Sequence, residues 1–216
     1  MAKAKPALIR RIAVDVLARA EKYRSFVNIV LDSRFKRYRH LTPQDRSIIT
    51  EIVYGTLRNQ RLLDFIISRF SKVKPSRMER RTLLALRIGA YQVLFMRRIP
   101  HALAVNESVG LAAPRSRALV NAVLRSICRA RGHVDELLDG ELAALETVER
   151  LAVRYSHPDW IVRMWIDRFG KEFTEGWLAA NNTPAPLYVR VNTIRTTAAE
   201  LAQRLVEAGL NAEPCG

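Results

Sequence analysis

The sequence is poor in features that would tie it to several large protein classes. It has only two cysteines, Cys128 and Cys215, far apart and forming no CxxC pair, which excludes a disulfide scaffold and fits a reducing compartment. Nine glycines and nine prolines in 216 residues exclude collagen-like and low-complexity chains, and no internal repeat is visible. No uninterrupted apolar run approaches the roughly 20 residues of a membrane span. The N-terminus Met1-Ala-Lys-Ala-Lys-Pro6 is basic, but amphipathic helix follows it rather than the apolar stretch of a signal peptide. The chain reads as cytoplasmic, with no membrane partner.

Catalytic chemistry is equally sparse. There is no GxGxxG and no Walker sequence, hence no Gly-rich loop to cradle a cofactor or phosphate. His40, His101, His133 and His157 show no ligand spacing with one another or with the cysteines, which argues against a metal site. A nucleophilic cysteine needs a supporting base or a cationic pocket. Cys128 instead falls inside an apolar helical pattern as a core or near-core residue, and Cys215, in Pro214-Cys-Gly216, has nothing nearby to activate it. No catalytic constellation can be assembled, and the chain is expected to bind no cofactor of its own.

Acidic residues are scarce where it matters. Residues 1–131 hold 28 Lys+Arg against 8 Asp+Glu, a net +20, whereas residues 132–216 hold 8 against 13, a net −5. Solubility alone is served by mixed signs, so the excess points to a polyanion, whose phosphates release counterions when neutralised. The sign change near residue 132 marks an expected domain boundary.

What is abundant is helical periodicity. Leu8/Ile9, Ile12/Ala13, Val16/Leu17 and Ala20 form one three-and-four stripe. A second helix is expected over residues 25–36, burying Phe26, Ile29, Val30 and Phe35. Thr42-Pro43 with Asp45 reads as a capped helix start, followed by Ile48, Ile49, Ile52, Val53 and Leu57. The pattern resumes at Leu62, Leu63, Phe65, Ile66 and Phe70, with Gly55 or Asn59 as a kink or break. Ser76 and Glu79 have capping-box spacing ahead of the next helix, Pro100 opens a short one, and 117–131 buries Leu119, Val120, Val123, Leu124 and Ile127. Six or seven helices joined by short connections make an all-α bundle. An acidic stretch over residues 134–150 follows. Pro158 then starts a helix with Trp160, Ile161, Met164, Trp165 and Phe169 as its stripe. Pro184-Ala-Pro186 breaks the pattern, 187–192 reads as a strand, and Thr197/Glu200 caps a last helix with Leu201 and Leu205 as core and Gly209 at its end. A lone strand leaves its backbone unsatisfied, so this α/β piece needs partner strands.

The basic residues form a pattern of their own. Arg117, Asn121, Arg125 and Arg129 recur every four residues beside the Leu119–Val123–Ile127 face, flanked by Arg115 and Arg131. Guanidinium groups suit phosphates through their planar, two-pronged donors. Arg10 and Arg11 are a second candidate patch. A solvated face, with Asn121 bonding a neighbouring helix, is the alternative for these positions. The aromatics are regularly spaced in helical stripes and offer no base-stacking platform, Tyr38 among Arg37, Arg39 and His40 excepted.

Residues 99–111, Ile-Pro-His-Ala-Leu-Ala-Val-Asn-Glu-Ser-Val-Gly-Leu, with Ala118-Leu-Val-Asn-Ala-Val-Leu-Arg125 and with Asp45-Arg46 ahead of Ile52-Val-Tyr-Gly55, resemble the NusB family of antitermination factors. Tyr155-Ser-His-Pro-Asp-Trp-Ile-Val162 and Leu187-Tyr-Val-Arg-Val-Asn-Thr193 are similar to the segments that join a NusB-like domain to a methyltransferase domain in the ribosomal RNA small-subunit methyltransferase B (Sun) family. The resemblance implies an S-adenosylmethionine-dependent parent enzyme in which one cysteine adds to C6 of a target cytosine and a second helps release product. Neither Cys128 nor Cys215 matches those motifs. It implies small-subunit ribosomal RNA as partner, with a ribosomal protein as a further one.

The expected organisation is a NusB-like RNA-binding bundle over 1–131, an acidic linker helix over 132–150, and the start of an α/β adaptor over 151–216, ending before a catalytic domain. Such a chain is expected to bind structured RNA in a salt-sensitive way without methylating it. A transcription antitermination or ribosome-assembly factor without enzymatic activity, and a purely protein-binding scaffold, are the alternatives.

Overall fold

The computed structural model describes residues 6–183, 185 and 187–214. Pro184, Pro186 and Cys215 lie outside the described residues, as do the first five. The described chain holds α1 (Pro6–Tyr23), α2 (Val27–Arg37), α3 (Pro43–Arg58), α4 (Gln60–Phe70), α5 (Arg80–Phe95), α6 (His101–Leu111), α7 (Arg117–Ala130), α8 (Val134–Ala143), α9 (Thr147–Arg154), α10 (Asp159–Phe169), α11 (Lys171–Asn181) and α12 (Ala198–Glu207). The fold is all-α, as the periodicity predicts, and none of these helices is long and apolar enough to cross a membrane.

α5 is the organising element. Leu84, Ala85, Leu86, Ile88, Ala90, Tyr91 and Val93 are all buried, and a helix buried on every side belongs at the centre of a bundle. Leu84 and Ile88 close a core with α1, α2 and α3, while Leu86, Ala90 and Val93 close a second with α4, α6, α7 and α8. Its central position demands small residues and paired charges. Gly89 lies where a Cβ would sit 2.5 Å from Leu124 Cδ1. Arg87, buried mid-helix, is held by two 2.7 Å bonds to Asp64 of α4, with Glu21 of α1 at 3.5 Å. Glu21 also pairs with Arg80 at 2.9 Å.

Helix boundaries follow local chemistry. At the start of α3, Thr42 Oγ1 accepts from the Asp45 N–H (3.1 Å) while the Asp45 carboxylate accepts from the Thr42 N–H (3.0 Å), with Pro43 in the first turn. Because Ser/Thr caps are worth about 1 kcal/mol, Thr42→Ala should lower the thermal midpoint by roughly 2–4 °C, read by circular dichroism. An unchanged midpoint would remove the cap from the account. The break between α3 and α4 falls at Asn59, whose backbone and side-chain N–H groups both donate to the Gly55 carbonyl, at 3.1 and 2.9 Å.

Several expectations are corrected. α2 begins at Val27, not Ser25, so its buried residues are Leu31 and Arg34, and Phe26 and Ile29 are 77% and 60% exposed. The chain makes a 3-10 turn over Pro75–Arg77 before α5, so Ser76 does not cap that helix, and Glu79 stands at its N-cap without a side-chain bond. In α10 only Val162 is buried, whereas Trp160, Met164 and Phe169 are exposed. No strand forms over 187–192. A strand exists through its ladder, and the described residues supply no partner.

The chain divides into two compact units, Met1–Asn182 and Thr183–Gly216. In the first, α8 buries Val134, Leu138 and Leu142 in the main core. Arg61 of α4 holds the α9–α10 turn, its backbone N–H donating to Ser156 Oγ (2.8 Å) and its guanidinium to the His157 carbonyl (3.1 Å) and Asp159 (2.8 Å). The change of charge near residue 132 therefore falls inside a packed unit. In the second unit, α12 carries the expected Thr197/Glu200 capping box and ends at Gly209 (φ 81°), where Leu210 N–H bonds the Leu205 carbonyl at 2.9 Å. Leu201 and Leu205 are only half-buried there.

Candidate nucleic-acid interface

α7 is amphipathic in the way its spacing requires. Val120, Val123, Leu124 and Ile127 are buried, which turns Arg117, Arg125 and Arg129 outward as exposed side chains, with Asn121 half-buried between them. A four-residue step advances 400° around a helix of 3.6 residues per turn, so the stripe drifts by about 40° per step. The structure does bring these four residues onto one continuous band of α7.

The members differ in their charge environment. Among the described residues no carboxylate pairs with Arg117 or Arg125, while the Arg129 guanidinium donates to Ser126 Oγ at 2.8 Å. Arg115 precedes α7 and pairs with Glu79 at 3.0 Å, yet its side chain stays 80% exposed, where water screens such a pair heavily. An unpaired exposed guanidinium keeps its donors for a phosphate.

The second candidate patch separates into two different environments. Arg11 is exposed on α1. Its neighbour Arg10 is only 3% exposed, donates to the Pro6 carbonyl at 3.2 Å, and has its pKa lowered by burial, with Glu107 acting in the opposite sense. That inward turn keeps the Arg10 guanidinium from any solvent phosphate. α1 packs on α2, α3, α5 and α6, and α7 on α4, α5 and α6, so Arg11 and the α7 band belong to separate elements. Tyr38 is half-buried and lies T-shaped to His40 at 6.0 Å between centroids.

Burial raises the Cys128 pKa against the opposing pull of Arg131 and Arg129, so its thiol stays protonated and a poor nucleophile. Among the described residues no three of His, Cys, Asp and Glu gather as metal ligands. Sequence reasoning missed one exposed group, Lys22, Tyr23, Arg24 and Phe26 at the α1–α2 turn. The interleaving of cations with aromatics was its available signal, hidden by placing Phe26 in a buried stripe.

A family model described as the NusB family matches residues 8–129, and one described as "Methyltr_RsmF/B-like, ferredoxin-like domain" matches residues 157–216. The chain is 33% identical over 209 residues to the probable ribosomal RNA small subunit methyltransferase B of Bacillus subtilis, across 95% of this chain and 45% of that protein. It is 34% identical over 179 residues to the ribosomal RNA small subunit methyltransferase B of Vibrio cholerae, across 81% of this chain and 38% of that protein. The solved structure of T. maritima NusB aligns with a TM-score of 0.56 at 20% identity, over 63% of this chain and 99% of its own. The chain thus spans less than half the length of the curated relatives it matches.

Proposed function

The chain belongs to the NusB family through residues 8–129, and from that premise we propose that it is the RNA-contacting N-terminal region of a small-subunit ribosomal RNA (cytosine-5-)-methyltransferase. The observation that carries this reading is the order of the two family matches, a NusB family segment followed by a methyltransferase-associated ferredoxin-like one at 157–216. Residues 1–131 take the RNA, 132–150 supply an acidic connection and 151–216 the adaptor. The methyl transfer and its donor, S-adenosylmethionine, are assigned to the remaining length of the relatives, since this chain has no Gly-rich loop to hold that cofactor. Small-subunit ribosomal RNA is the proposed partner, with a ribosomal protein as a further one.

The α7 band is the proposed contact. A net +20 over residues 1–131 attracts any polyanion, and within the α7 band Arg117 and Arg125 are exposed and, among the described residues, pair with no carboxylate. Reversing both to Glu should weaken binding of a small-subunit ribosomal RNA fragment several-fold. It should also flatten the dependence of log affinity on log salt by about 1 for each phosphate no longer neutralised, as read by fluorescence anisotropy. Unchanged affinity would refute the placement on α7, and a wild-type chain indifferent to RNA at low salt would refute the function.

An antitermination or ribosome-assembly role without chemistry is the second reading. T. maritima NusB is aligned over 99% of its own length by 63% of this chain, which leaves the ferredoxin-like match at 157–216 without a purpose under that reading.

A further inference from the structure

We propose that the α1–α2 turn is a base-stacking platform for a single-stranded RNA segment, with Tyr23 and Phe26 as the stacking rings and Lys22 and Arg24 as the backbone-neutralising cations. The inference rests on the RNA-binding reading above and adds a contact site apart from α7, with the side chains that would hold bases there.

Four observations converge on this turn. Tyr23 and Phe26 are 59% and 77% exposed, whereas Leu31, further along α2, is buried. Lys22 and Arg24 are exposed beside them, the Lys22 ammonium lying 5.0 Å from the Tyr23 ring centroid. The carboxylates that bracket the stretch are already committed elsewhere. Glu21 is paired with Arg80 at 2.9 Å and Asp32 with Lys36 at 2.7 Å, so nothing acidic within residues 22–31 offsets the two cations. Finally, Arg24 sits at φ 50°, the left-handed position after a helix end that is ordinarily glycine. The turn it closes, Ser25 N–H to the Ala20 carbonyl at 3.0 Å, would form with less strain around a glycine. A bulky cation held in an unfavourable backbone conformation is the kind of local cost that persists where the side chain serves a purpose.

Aromatic rings interleaved with cations are the means by which proteins hold unpaired strands, because every base has a π-face and every nucleotide a phosphate. A duplex hides its bases and offers such rings nothing. A protein surface as occupant is disfavoured by the two uncompensated cations beside the rings.

The test uses the whole 216-residue chain and three labelled ligands in an anisotropy titration: a single-stranded oligoribonucleotide of about ten nucleotides, an abasic ribose-phosphate strand of equal length, and the corresponding duplex. The wild-type chain should prefer the base-bearing single strand over both others. The double variant Tyr23→Ala/Phe26→Ala, which removes only exposed side chains, should lose at least about tenfold in affinity for that strand and keep its affinity for the abasic one. Arg24→Gly separates a binding role from a folding role. It should raise the thermal midpoint by roughly 2–4 °C, since the αL strain is relieved, and yet weaken the single-strand complex. A double variant that binds the base-bearing strand as the wild type does overturns the platform and leaves the turn to a protein partner, while the RNA-binding reading stands. Equal losses on base-bearing and abasic strands overturn it as well, because stacking would then not be the cause. A wild-type chain that binds none of the three at low salt defeats the RNA reading itself, and the platform with it.

Discussion

Replacing Asp64 by alanine is expected to lower the unfolding free energy by about 3 kcal/mol, from a change on the rim of the bundle that removes no apolar packing. The reason lies in what it abandons. The Arg87 side chain is 8% exposed and makes both of its 2.7 Å bonds to Asp64. An arginine cannot shed its charge to escape a poor environment. Without Asp64 only Glu21 remains, at 3.5 Å, and Glu21 is shared with Arg80. Breaking a fully buried pair costs about 3–5 kcal/mol, and the lower end applies because Asp64 is 29% exposed and water can enter where it stood. By contrast Arg80→Ala breaks a pair between half-exposed partners and should cost no more than about 1 kcal/mol. Joint replacement, Asp64→Ala with Arg87→Met, should recover much of the loss, since two charges leave together. Urea midpoints at constant m-value report all three. An Asp64→Ala midpoint equal to that of Arg80→Ala would mean that the buried guanidinium does not depend on its partner.

That network also marks the limit of what the sequence tells. Periodicity located α1, α3 and α7 with their buried faces, because a regular helix repeats its pattern locally and Ile9, Ile12 and Val16 point one way whatever surrounds them. The Thr42 and Thr197 caps were legible for the same reason, all their atoms lying within four residues. Arg87 was not, since its partners Asp64 and Glu21 come from two other helices. Nor were the opposite fates of Arg10 and Arg11. Adjacent positions differ by 100° around a helix, but which of the two meets solvent depends on where α6 packs. Phe26 was misplaced because the left-handed turn at Arg24 resets the helical phase, so that a count begun at Ser25 buries the wrong side. For α10 the amphipathic pattern is real, but a pattern states what a face would bury, not whether anything covers it. The strand expected at 187–192 has the same defect, since its bonds belong to a partner.

Gly55→Ala provides the complementary experiment, in which a residue's absence of side chain is what matters. Mid-helix, alanine is better than glycine by about 1 kcal/mol, so the substitution should stabilise α3 if the surroundings allow it. They do not. A Cβ at Gly55 would lie 1.9 Å from Tyr91 Cζ and 2.1 Å from its hydroxyl oxygen. The ring has little freedom to retreat. It is buried, stacked on Phe95 at 5.4 Å, and its O–H donates to Glu51. Burial, then the Glu51 hydrogen bond, raise the phenol's pKa above its ordinary value, so the proton that makes this bond stays in place. Forcing the ring aside incurs an overpacking cost of about 1–3 kcal/mol or more and strains a hydrogen bond worth about 1, so the net loss should be about 2 kcal/mol. The decisive measurement is the sign of the effect in two backgrounds. With Tyr91→Ala already in place, itself costing about 3–5 kcal/mol, the same Gly55→Ala change should become stabilising by up to about 1 kcal/mol, because only the helix preference is left. A coupling of about 3 kcal/mol between the two sites would trace the glycine to this one contact. The same loss in both backgrounds would mean that α3 needs Gly55 for a reason unconnected with the ring above it.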